Sequence, residues 1–134
     1  MLNVHAALIH AMVMVAAVDR DMKDIELGQI GRLVKYLPAF ADYDVNKLVE
    51  TAQECAVILS TKDGLDRNLG LIAAALPPVL RETAYGLACE VAAVDRKLPF
   101  EEIRLLQRLR QTLGLDRLTA AAIERATQAR FAIP

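Results

Sequence analysis

The chain has no tryptophan, and its three tyrosines and three phenylalanines make up only 4% of 134 residues. A β-sandwich would want more aromatics, valine and threonine. A chain that is 54% apolar and draws its core from Ala, Leu, Val, Ile and Met favours closely packed helices instead. Cysteine is scarce too. Cys55 and Cys89 stand far apart with no Cys-x-x-Cys, so no disulfide framework is evident, and both fall within helical patterns as buried thiols. Charge of one sign is missing: 16 basic residues against 17 acidic ones leave a net charge of −1. That balance provides no basic field for nucleic acid, and no nucleic-acid partner is expected.

Long hydrophobic runs are also lacking. The longest, Ala6 to Val18, is interrupted by His10 and is too short to span a bilayer. No Lys or Arg precedes it, so it reads as a buried helix rather than a signal-peptide core, and a cytoplasmic location is the default. Catalytic signatures are equally sparse. His5 and His10 lie five residues apart, off the i, i+4 spacing of paired ligands on a helix face. His10 reads as a hydrogen-bonded residue in a buried helix and His5 as its exposed start. There is no Glu-x-x-His pair and no glycine-rich phosphate loop, so the chain is not expected to be an enzyme.

What the sequence does contain is a repeat. Val-Ala-Ala-Val-Asp-Arg occurs at residues 15–20 and again at 91–96, an offset of 76. At the same offset Met22 matches Leu98, Glu26 matches Glu102, Leu27 matches Ile103, Ile30 matches Leu106, Leu33 matches Leu109 and Leu37 matches Leu113. Each copy reads as an apolar helix, an Asp-Arg break and a second helix with Glu near its start. The expected fold is therefore all-α: a single domain over 1–134, with about seven helices and an internal pseudo-two-fold repeat of a helix-turn-helix unit at residues 10–37 and 86–113.

The helical period marks segments at about 4–18, 24–37, from Asp44, from Leu65, from Leu80, from Ile103 and at about 118–130. The first is apolar nearly all round and should be central. The second places Leu27, Ile30, Val34 and Leu37 on one face, and the sixth places Ile103, Leu106, Leu109 and Leu113 likewise. Asp44 is expected to cap the third helix and Gly114 to close the sixth. Lys62-Asp63-Gly64 reads as a turn, and Pro77-Pro78 ends the fourth helix. Phe40 and Tyr43 should pack over the edge of the core.

Asp19 and Asp95 fall where an apolar helix stops, and Glu26 and Glu102 follow seven residues later. With Lys23 and Pro99 at the N-caps, both glutamates sit at N3, facing the positive end of the helix dipole. Met22 and Leu98 would then staple onto Leu27 and Ile103. If the two units pack about a pseudo-two-fold axis, Asp19, Glu26, Asp95 and Glu102 converge. Such an oxygen-only set favours a hard divalent cation, Ca²⁺, Mg²⁺ or Mn²⁺. Glu90 either joins that group from outside or lies exposed.

The stretches VAAVDRDMKDIELGQIGRLV (15–34) and ACEVAAVDRKLPFEEIRLLQRLRQTLGLD (88–116) resemble the TerB-like family, all-helical proteins named for tellurite resistance. The resemblance covers most of the chain. It implies a helical domain with internal pseudo-symmetry, no established catalytic activity, and a metal-associated role in stress response through acidic positions that here are Asp19, Glu26, Asp95 and Glu102. The family usually has Gly directly after the Asp, where this chain has Arg20 and Arg96, so each carboxylate has a cation beside it. The expected function is a non-catalytic stress-response module that binds a divalent cation. The alternative is a ligand-free helical interaction domain or homodimer, acting through protein partners or self-association.

Overall fold

The computed structural model describes residues 1–18, 24–94 and 100–134. Within them lie seven α-helices and no strand: α1 Val4–Ala16, α2 Asp24–Tyr36, α3 Leu48–Leu59, α4 Gly64–Ala75, α5 Pro78–Val94, α6 Phe100–Leu113 and α7 Arg117–Arg130. Short 3₁₀ turns at Pro38–Phe40 and Val45–Lys47 join α2 to α3.

Helix α1 is the axle. Every residue from Ala7 to Ala16 is buried, as a helix without a polar face requires. Asn3 opens it by accepting a 2.8 Å hydrogen bond from the Ala6 amide. α5, α3, α4, α2 and α6 all pack around it. Each buried Leu, Ile, Val or Met on α1 contributes roughly 1.5–3 kcal/mol relative to exposure, which is the main gain of its central position. Inside this apolar helix His10 is fully buried, and its Nδ1 donates to Asn68 Oδ1 on α4 at 2.8 Å. Burial lowers the His10 pKa, against the opposing pull of the Asn68 hydrogen bond and of Glu54, and so favours the neutral imidazole. His5 is not an exposed starting residue. Its Nε2 lies 3.0 Å from the Ala39 carbonyl, and its ring packs against Phe40 and Tyr43, so the two aromatics do cover the core edge.

Several ends follow from local chemistry. Asp44 accepts from the Asn46 amide at 3.0 Å, capping the 3₁₀ turn that leads into α3 rather than α3 itself. Gly64 starts α4 where a Cβ would come within 2.2 Å of the Ile58 carbonyl oxygen, so only glycine fits. Gly114 has φ +71, and the Leu115 amide bonds back to the Arg110 carbonyl, a left-handed close to α6. Arg81 on α5 donates to the carbonyls of Ala73, Leu76 and Leu113, holding the C-terminal ends of α4 and α6 together.

Helix α7 is the outermost. Asp116 caps it through the Thr119 amide at 2.7 Å, and only Ala120 is fully covered. It packs on α5, where Tyr85 donates to Glu124 and Arg130 pairs with Glu90.

Candidate acidic site

Helices α2 and α6 are amphipathic, but their buried faces are rolled by about one residue from the stripe of large apolar side chains. On α2 the buried residues are Glu26, Gln29, Ile30, Leu33 and Val34, while Leu27 is 40% exposed. On α6 they are Glu102, Leu105, Leu109 and Leu113, while Ile103 is 37% exposed and Leu106 half-buried. The roll has a chemical consequence. It turns the two glutamates of the repeat inward, with Glu26 only 1% exposed and Glu102 2%. Neither is the solvated first-turn carboxylate common at helix starts.

Both glutamates sit in the first turn of their helix, close to the positive end of the backbone dipole. That dipole favours a carboxylate by roughly 0.3–1 kcal/mol at exposed sites and up to about 2 when partly buried. Asp19 and Asp95, with Arg20 and Arg96, lie outside the described residues. So do Lys23 and Pro99 of the expected cap and Met22 and Leu98 of the expected staple. Among the described residues no group of three or more His, Cys, Asp or Glu side chains is gathered to hold a metal.

A third buried acid lies beside α2. Glu90, on α5 one turn before Val94, is 6% exposed rather than solvated. Gln29 Nε2 donates to its Oε2 at 2.8 Å, and Arg130 pairs with its other oxygen. Gln29 Oε1 in turn accepts from Arg32 Nε at 3.1 Å and Nη2 at 2.7 Å. Every oxygen of the Glu90–Gln29 pair therefore has a donor, as a buried polar network requires. Gln29 and Arg130 were not singled out from the sequence. The available signal was a polar residue at i+3 from Glu26, on the same stripe as Ile30 and Leu33.

The two cysteines are buried thiols, as expected. Burial pushes each of them up to about 12, which keeps them protonated and poor as metal ligands.

Residues 5–126 match the family model described as Tellurite resistance protein TerB. No curated protein and no solved structure matches the chain.

Proposed function

This chain belongs to the TerB family, and we propose that it serves as a non-catalytic, cytoplasmic, tellurite-resistance-type module of stress response that holds a divalent cation through Asp19, Glu26, Asp95 and Glu102. What supports the reading is the burial of Glu26 and Glu102, matched positions of the repeat, at the N-terminal turns of two helices. A carboxylate withdrawn from water is stabilised by any cation brought within reach, and an oxygen-only donor set suits Ca²⁺, Mg²⁺ or Mn²⁺ rather than a thiolate-seeking metal. The bound ion would supply charge neutralisation at the first turns of α2 and α6.

The test is a thermal-melt series on EDTA-stripped protein titrated with Ca²⁺, Mg²⁺, Mn²⁺ and Zn²⁺, beside an Asp19→Asn/Asp95→Asn variant. A ligand that binds only the folded state adds about 2.7 kcal/mol of stability at a hundredfold excess over Kd. A shift with a hard ion that disappears in the variant supports the site. No shift with any ion overturns it.

A second reading, a ligand-free interaction domain, rests on a different observation. On α3 and the turn before it Val45, Val49 and Val57 are 37%, 66% and 64% exposed. Association through this face needs the three valines to form one contiguous apolar patch, since singly exposed apolar residues are ordinary at a protein surface. Size-exclusion chromatography with light scattering separates a monomer from a self-associating chain.

No described helix is long and apolar enough to cross a membrane.

A further inference from the structure

A cleft of about 300 Å³ opens between α5, α6 and α7. Its volume lies at the lower end of the range typical of small-ligand sites, roughly 300–1,000 Å³. Ala92 and Ala93 of α5 and Ile103 and Leu106 of α6 give it an apolar wall. The small alanines create the space, and the roll of α6 that buries Glu102 leaves Ile103 on the cleft side rather than in the core. The polar groups come from the same face of α5, one and two turns earlier, and from α7. Tyr85, itself 2% exposed, donates its hydroxyl proton to Glu124 Oε2.

That hydrogen bond fixes the electrostatic character of the cleft. Because the tyrosine proton is committed to Glu124, the hydroxyl oxygen presents lone pairs, and Glu124 Oε1 remains an acceptor. Among the described lining residues Glu124 carries the single formal charge, and no Lys, Arg or His faces it. Burial is the main cause that pushes the Tyr85 hydroxyl and the Cys89 thiol upward; the Glu124 carboxylate adds to it, and at Cys89 the Tyr85 hydrogen bond opposes it. Gln107 and Gln128 add neutral hydrogen-bonding groups.

From the Tyr85–Glu124 pair lining one cleft with aliphatic side chains, we infer that this cleft is a binding site for a small organic cation with an apolar body, such as a primary amine on a short hydrocarbon frame. The ammonium group donates to Glu124 and the Tyr85 oxygen, and the hydrocarbon displaces water from Ala93, Ile103 and Leu106. An anion of the same shape meets the Glu124 charge and is rejected. A neutral alcohol retains the apolar contact and loses the ion pair.

The probe is 2-phenylethylamine, titrated into the full chain and followed by amide chemical shifts, with 2-phenylethanol and 3-phenylpropionate as matched controls. Saturable shifts confined to residues 85–93, 103–107 and 124–128 are expected with the amine and not with the carboxylate. Glu124→Gln, an exposed and isosteric change, should weaken amine binding about fivefold, the upper value of an exposed charge pair. Ala93→Phe should fill the cleft and abolish the shifts, with a thermal melt confirming that both variants fold. Absent or scattered shifts overturn the site, as does undiminished binding to Glu124→Gln or equal binding of the carboxylate.

Discussion

Gln29 on α2 and Glu90 on α5 face each other inside the bundle, with Nε2 donating to Oε2 at 2.8 Å. The positions 76 residues away from these two are Leu105 and Met14, also buried. One copy of the repeat thus has a polar pair where the other has apolar residues.

The comparison yields a stability prediction. Gln29→Leu should cost about 1–3 kcal/mol, because it removes a donor from a carboxylate that stays buried. Gln29→Leu combined with Glu90→Met copies the residues of the other repeat and should recover most of that loss. Urea titrations of the wild type, both single variants and the double variant measure the coupling directly. Additive losses would mean that the hydrogen bond is not what joins these positions.

His10 gives the fold a pH dependence of definite sign. Its folded-state pKa is lowered by burial, so between that value and the ordinary one near 6.5 the unfolded chain binds the proton more readily. The stability it contributes is complete above about pH 6.5 and is lost as pH falls through the folded-state pKa. Urea midpoints between about pH 7.5 and 5.5, above most carboxylate titrations, should fall in the wild type. In His10→Gln the decline should flatten.

Two glycines should respond differently to alanine. At Gly64 the new methyl would lie 2.2 Å from the Ile58 carbonyl and 2.8 Å from that of Leu59, both backbone atoms. The loss should reach about 3 kcal/mol or more, since the neighbours are backbone and yield little. At Gly114 nothing stands within 4 Å, and only the positive φ of +71 opposes a side chain. A loss of about 1–2 kcal/mol is expected there. Thermal melts rank the two.

Thiol labelling tests the interior. Cys55 and Cys89 are buried and held near 12, so 5,5′-dithiobis(2-nitrobenzoate) at neutral pH should label neither in the native protein and both in denaturant. Native labelling of Cys89 ahead of Cys55 would show reagent entering the cleft between α5, α6 and α7, which Cys89 lines.

Much of the architecture was legible in the sequence because helix periodicity and end signals are local. The all-apolar face of α1, the Pro77-Pro78 stop and the Gly114 close all appear where local chemistry puts them. The rotation of α2 and α6 was not legible. Leu27 and Ile103 are the larger apolar side chains, and a local pattern ranks them above Glu26 and Glu102 for burial. The packing of α2 and α6 against α5 and α1 decides otherwise, and that is a tertiary effect. For the same reason the sequence named the repeated glutamates without indicating that they are inside. Asn68, Gln29, Glu124 and Arg130 matter through partners 39 to 61 residues away, a relation that no local spacing encodes.

The most direct test of the cation proposal is titration calorimetry of Ca²⁺, Mg²⁺ and Mn²⁺ into EDTA-stripped wild type and Glu26→Gln/Glu102→Gln, with circular dichroism verifying that the variant folds. Saturable heat with one of these ions in the wild type, lost in the variant, is the expected result. No binding heat with any of them, or equal affinity in the variant, would contradict a cation held by the buried glutamates.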